Sequence, residues 1–204
     1  MVELSVVIVT TKDKDEILCL PKFEKSDFND YEVIIRDDAG IAKARNEGIK
    51  EASGDKIVFI DDDAEPMDGY LQAASDILEE EYVVAGKIIH PGDGLISRML
   101  SHYPTDDEGR YVENVIGCNM GYRREVFETV GYFDEGFLWG HEETEFIERV
   151  KKKYPVYYEP EMGVIHSYAD GIVDYWRKQY RFGPADIHHA KKKERQTVIS
   201  SRNC

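Results

Sequence analysis

The stretch Lys56–Pro66, KIVFIDDDAEP, restricts this chain more than any other. Its apolar run Ile57–Ile60 has the length of a buried strand. Three carboxylates follow at once, Asp61, Asp62 and Asp63, and Pro66 ends any simple continuation of the strand. Like charges crowded at the open end of a buried strand repel one another, so a positive group is expected among them. A divalent cation taken up with a substrate phosphate meets that need. In open α/β sheets ligands bind at the carboxyl ends of strands, which is where these acids would stand. A solvated acidic turn after a core strand is the competing account of the same residues.

The rest of the chain alternates in the same manner. Leu4–Thr11 reads as a buried first strand that ends in hydroxyls, and Tyr31–Arg36 as a second that ends in Asp37-Asp38-Ala39-Gly40. Ile41, Ala44, Ile49 and Ala52 form a helical stripe that stops at Gly54. A further helix is expected through Tyr70, Leu71, Ala74, Ile77 and Leu78, then a strand over Val83–Ile89. Alternating strands and helices predict one α/β domain with a mainly parallel sheet, helices on its faces and right-handed crossovers. Two strands ending in paired acids favour a cation-and-phosphate site over surface decoration.

Beyond His90 the pattern loosens. Residues 90–113 read as a long loop with a short helix near Leu95, Ile96, Met99 and Leu100. Asn114–Tyr122 is a glycine-broken strand, Arg123–Val130 a short helix closed by Gly131, and the run from His141 to Val150 a helix with Phe146, Ile147 and Val150 inward. Val156–Tyr158 and Gly163–His166 are expected as two short strands. Between Arg177 and Arg195 stand seven Lys/Arg against two Asp/Glu, interleaved with Trp176, Tyr180, Phe182 and Ile187, and Gly183-Pro184 is expected to break this helix in two. That segment reads either as a docked helix with a solvated basic face or as an attachment to anionic lipid or an anionic acceptor.

Composition removes several function classes. A net charge of -15 excludes general nucleic-acid binding, because phosphates would be repelled. The start, Met1-Val-Glu-Leu-Ser, has no basic n-region or long apolar core, and no apolar run reaches the ~20 residues that span a membrane. Cys19, Cys118 and Cys204 fit neither a disulfide framework nor a zinc knuckle, so a cytoplasmic location is expected, with the inner membrane face as the alternative. His141-Glu142 opens like a zincin motif but lacks its second histidine.

Taken in order, several segments resemble one family. SVVIVTT, EVIIRDDAG, ARNEGIKEASGDKIVFIDDDAEP, GCNMGYRREVFETVGYFDE, HEETEFIER and VIH are similar to successive segments of a family 2 glycosyltransferase of the GT-A fold, over about residues 4–168. The resemblance implies a nucleotide-diphospho-sugar transferase-like sheet in a single domain, with residues 1–66 as nucleotide-binding half, 67–168 as acceptor and catalytic half and 169–204 as a basic helical tail. It implies that Thr10 and Thr11 border the nucleotide base and that Asp38 or Asp37 accepts from its ring. Arg45 is implied near the base or diphosphate, and Asp61 at the ribose. Asp63, with Asp61 and His166, would hold a Mn²⁺ or Mg²⁺ ion, Asp62 being the other candidate ligand. Glu143, or its neighbour Glu142, would be the catalytic base, with Trp139 and Asn119 toward the acceptor.

The implied reaction is a metal-dependent, inverting transfer of a sugar from a nucleoside-diphosphate sugar to a glycan, a lipid-linked or another hydroxyl acceptor. A sugar nucleotidyltransferase, which would want a glycine-rich basic loop after the first strand, and a non-catalytic sugar-nucleotide or glycan-binding module are the alternatives. A homodimer is a candidate assembly. In one respect the chain departs from the family. Gly40 runs straight into Ile41-Ala42-Lys43-Ala44-Arg45-Asn46, where most members carry an extra helix and strand, so the nucleotide side is trimmed.

Overall fold

The computed structural model describes residues 2–91, 104–169 and 171–202, with side chains described as far as residue 194. The helix expected near Leu95–Leu100 and the terminal Cys204 lie outside the described residues. Strand β1 (Leu4–Val9) is followed by a 3-10 turn (Lys14–Glu16), the short helix α1 (Leu20–Phe23) and β2 (Tyr31–Arg36). Helix α2 (Ile41–Glu51) leads to β3 (Lys56–Ile60), the two-residue β4 (Glu65–Pro66), α3 (Tyr70–Glu80) and β5 (Val83–Ile89). Then come β6 (Arg110–Val112), β7 (Asn119–Arg123), α4 (Arg124–Val130), α5 (Glu142–Val150), β8 (Val156–Ile165) and α6 (Ile172–Arg202).

One sheet carries all of them, in the order β2-β1-β3-β7-β5-β8-β4, with β6 added beside β8. β2, β1 and β3 are parallel to one another, and so are β5 and β8. β7 runs antiparallel between β3 and β5. The sheet is buried on both faces. In β3, Ile57 and Phe59 enter one core with Ile49 of α2, Phe127 of α4 and Phe146 of α5. Val58 and Ile60 enter the other with Phe23 of α1 and Tyr70, Leu71 and Leu78 of α3. This is the physical reason for the unbroken apolar run in β3: each alternate side chain has its own core, and each is worth roughly 1.5–3 kcal/mol when fully buried.

Five expectations need correction. The strand expected over Asn114–Tyr122 begins only at Asn119, as β7, because 114–118 form a coil and turn that lines the sheet's end. The two strands expected near Val156 and His166 are one, β8, and its register against β5 shifts at Gly86/Lys87, which accommodates the extra length. β6 was not foreseen, because Arg110–Val112 is exposed and carries no apolar alternation. β4 was not foreseen either. Pro66 does end β3's reach, but the chain turns and pairs Glu65 and Pro66 with Ile165 and Val164, at an edge where a missing N–H does no harm. Lastly, α6 is continuous through Gly183-Pro184. A proline inside a helix forfeits one hydrogen bond, but ties to the body hold α6 on both sides of it. Lys178 Nζ donates to the Tyr168 carbonyl at 2.5 Å, and Lys192 Nζ lies 2.8 Å from Glu145.

Helix α2 lies so close to β1 that a Cβ on Gly48 would stand 2.4 Å from Val7 Cγ1. Alanine normally gains about 1 kcal/mol over glycine in a helix. Here overpacking against a stiff, buried valine outweighs it, so Gly48→Ala should lower stability by about 1–2 kcal/mol, read as a drop in the urea midpoint.

Candidate active site

The carboxyl ends of β1, β2, β3 and β8 open on one cleft of 1420 Å³. Thr10 and Thr11 follow β1, Asp37 and Asp38 follow β2, Asp61–Asp63 follow β3, and His166 follows β8; all line the cleft. The loop Leu138–Gly140 and the first turn of α5 form the facing wall, and Lys178, Arg181 and Phe182 of α6 close one side.

The three acids after β3 are sorted by their partners. Asp62 turns away from its neighbours: Thr10 Oγ1 donates to it, and Lys12 Nζ lies 2.8 Å from it. Asp63 Oδ1 is 3.2 Å and Asp61 Oδ2 3.9 Å from His166 Nε2. The pairing of Glu65 with Ile165 sets this arrangement, since it draws the residue after β8 alongside the acidic turn, and the His166 amide donates to the Ile89 carbonyl at 3.0 Å. Burial disfavours charge on His166, yet Asp63, Cys118 and Asp61 outweigh it and raise the imidazole to about 11. The charged imidazole is thereby favoured beside the two acids, at the place where the sequence called for a divalent cation. Carboxylate oxygens and an imidazole nitrogen are also the donors that Mn²⁺ and Mg²⁺ accept, so Asp61, Asp63 and His166 fit such an ion.

On the facing wall, the first turn of α5 divides its two glutamates. Glu142 is buried and bonded to Arg45, whose guanidinium also donates to the Gly117 carbonyl at 2.9 Å and lies 3.9 Å from Asp61. Burial pushes the Glu142 carboxyl up, the Arg45 guanidinium opposes that shift, and Glu143 adds to it. Its Oε2 is buried with no hydrogen-bond partner among the described residues. Glu143 is only partly buried and takes a 3.4 Å hydrogen bond from Thr144 Oγ1. Arg45 is 2% exposed. Implied by the resemblance near the base or diphosphate, it lines the cleft but is engaged by Glu142 and Gly117.

The remaining expected residues separate clearly. Asp38 receives Arg36 Nε at 2.9 Å, and Asp37 is exposed beside it. Thr11 is exposed, whereas Thr10 is buried and committed to Asp62. Trp139 is half-exposed, with the Arg181 guanidinium 5.2 Å from its ring centroid. Asn119 is a correction. It is fully buried; Tyr70 donates to its oxygen, and its nitrogen donates to the Lys87 and Met162 carbonyls, so it braces β7 against β5 and β8 and has nothing to offer an acceptor.

Sequence reasoning overlooked four participants. Lys12, just past the end of β1, carries no local signal of its pairing with Asp62. Cys118 was set aside because cysteine counting looks for partners in sequence, whereas here the register of β7 brings Cys118 to Asp61 and His166. His141 has φ of 63° at the start of α5, an unusual conformation for a side chain of its size, and is held by Asp186 of α6 at 3.0 Å. Asn46 sits on α2, one residue past Arg45. Its side chain bonds both the amide and the carbonyl of Phe133, tying α2 to the segment that leads to Glu143.

Comparison with solved structures defines the fold class as GT-A. A crystal structure of S. aureus TarS residues 1–349 superposes with a TM-score of 0.62 at 18% identity, covering 81% of this chain and 60% of that one. A crystal structure of GalNAc-T7 with UDP, GalNAc and Mn²⁺ gives 0.64 at 16% identity, covering 82% and 44%. The chain thus spans about half the length of these structural relatives. In sequence it is 28% identical over 203 residues to YwdF of Bacillus subtilis strain 168, described as an uncharacterized glycosyltransferase, covering 82% of this chain and 75% of that protein. Residues 6–131 match the family described as Glycosyl transferase family 2, and the chain belongs to that family.

Two outcomes follow from the charges. Arg45→Met strands the Glu142 carboxylate and should cost about 3–5 kcal/mol in urea unfolding, most of it recovered in the Arg45→Met/Glu142→Met double variant. For His166, whose value is raised on folding, the stability it contributes is fully present below its ordinary 6.5 and lost as pH climbs through about 11. Thermal unfolding of the metal-free protein should therefore weaken above pH 6.5, and His166→Gln should flatten that part of the profile.

Proposed function

We propose that this protein transfers a sugar from a nucleoside-diphosphate sugar to an acceptor hydroxyl, with inversion at the anomeric carbon and dependence on Mn²⁺ or Mg²⁺. The observation that carries the reading is that Asp61, Asp63 and His166 share one cleft with Glu143. Family membership and a GT-A relative solved with UDP, GalNAc and Mn²⁺ support it.

Asp61, Asp63 and His166 would hold the ion, which when bound supplies Lewis-acid neutralisation of the leaving diphosphate. His166 would give up its proton to solvent as the ion arrives. Asp38 has one oxygen bonded by Arg36; its other would accept from a base N–H. Asp37 and Thr11, exposed at the same rim, would border the base. Glu143 would receive the acceptor's hydroxyl proton as that oxygen attacks, a step that needs a carboxylate within hydrogen-bond reach. Glu142 is bonded inward to Arg45 and would fix the first turn of α5 rather than take the proton. Trp139, half-exposed at the rim, would stack on a sugar face.

On this reading residues 1–66 form the donor half and 67–168 the acceptor half of one domain, and the 169–204 tail closes the cleft. The tail's cations support that role over a lipid contact, since Lys192 meets Asp134 and Glu145 while Lys193 and His189 meet Glu148. Among the described residues no helix is long and apolar enough to cross a membrane.

The test is donor turnover with Mn²⁺ over a panel of UDP-, GDP- and dTDP-sugars. Glu143→Gln should lower turnover by about 10²–10⁴-fold while donor affinity, measured by calorimetry, stays put. Unchanged turnover would remove Glu143 as base, and failure to bind any donor would remove the reading itself.

A further inference from the structure

The acidic cluster has a member that is neither acid nor imidazole. Cys118 immediately precedes β7, and the pairing of Asn119 with Ile60 sets it opposite Asp61, whose amide donates to the Cys118 carbonyl at 3.3 Å. Ligand atoms of Asp61, Cys118 and His166 all lie within 4.8 Å of one another, a spacing that one ion could bridge. The Cys118 side chain is buried, but its sulfur is at the polar edge of the core, beside the two groups of the cleft that carry opposite charge.

We propose that Cys118 is a ligand of the metal site, and that its sulfur turns the site toward thiophilic divalent ions such as Zn²⁺ or Co²⁺ and away from Mg²⁺. This rests on the reading of Asp61, Asp63 and His166 as the metal-holding residues. A thiolate is a soft donor, and soft donors favour zinc and its neighbours, whereas Mg²⁺ selects oxygen and keeps its waters. As the ion enters, the thiol proton and the imidazolium proton leave to solvent, and the ion then meets the carboxylates of Asp61 and Asp63, one thiolate and a neutral imidazole. Four protein ligands also make a site that fills without nucleotide, whereas an ion held mainly by Asp63 and a diphosphate needs the nucleotide present.

The experiment is Co²⁺ titration of the full chain followed by absorption, with and without UDP. Cys19→Ser/Cys204→Ser should bind Co²⁺ without UDP and display a near-ultraviolet thiolate-to-cobalt charge-transfer band. Adding Cys118→Ser should abolish the band and weaken Zn²⁺ binding by about tenfold or more, at least what loss of an outer partner costs a metal site. Cys118→Ala serves if the serine variant does not fold. The proposal is overturned if Co²⁺ binds with no such band, or if the band survives loss of Cys118. Binding that appears only with UDP and without sulfur leaves the transferase reading standing and this inference refuted. No Co²⁺ or Mn²⁺ binding under either condition refutes both.

Discussion

The acids at the mouth of this sheet are paired off with separate cations, and the cleft exists because they are. Lys12 and Thr10 draw Asp62 to one side, His166 stands against Asp61 and Asp63, and Arg45 neutralises Glu142 beneath the facing wall. Without these counter-charges a protein of net charge -15 would be concentrating repulsion where its strands end. The assignments also divide labour. Groups whose partners are protein are spent on architecture, and those facing His166 keep oxygens directed at the space where a ligand would sit.

The ARNEG segment of α2 works as a bracket. Arg45 reaches Glu142 and Gly117, Asn46 reaches Phe133, and Gly48 lets the helix carrying both settle on β1. One turn of α2 thereby fixes the far wall of the cleft in relation to the strand ends. Two short pieces elsewhere do comparable work. β4 brings His166 to the acidic turn, and the His141–Asp186 pair joins α6 to the start of α5.

Much of this was legible from the residues. The buried strands, α2, α3 and the α/β class follow from periodicity, because burial on two faces leaves an unbroken apolar run and a helix face leaves a stripe. The acid cluster and its need for a positive partner could be read from Asp61–Asp63 directly, and the ordered segments placed His166 and Glu143 in the same site. What was not legible depends on contacts between distant segments. Nothing local distinguishes Asp62 from Asp63, announces that Arg45 faces Glu142, or reveals that Asn119 is enclosed by β5 and β8. The continuity of α6 through Pro184 is of the same kind, since anchoring by the protein body overrides a local breaker.

The trimmed connection at Gly40 has a counterpart across the cleft. Gly40 adopts φ of 99°, the Ile41 amide donates to the Leu138 carbonyl at 3.4 Å, and a Cβ on Gly40 would touch Leu138. The shortened turn and the 138–140 loop therefore occupy adjoining ground, like two tiles cut to a common edge. Restoring length on the nucleotide side would evict the loop that carries Trp139 and leads into Glu143. The length of the turn after β2 is thus geometrically tied to the wall of the cleft that bears Trp139 and Glu143.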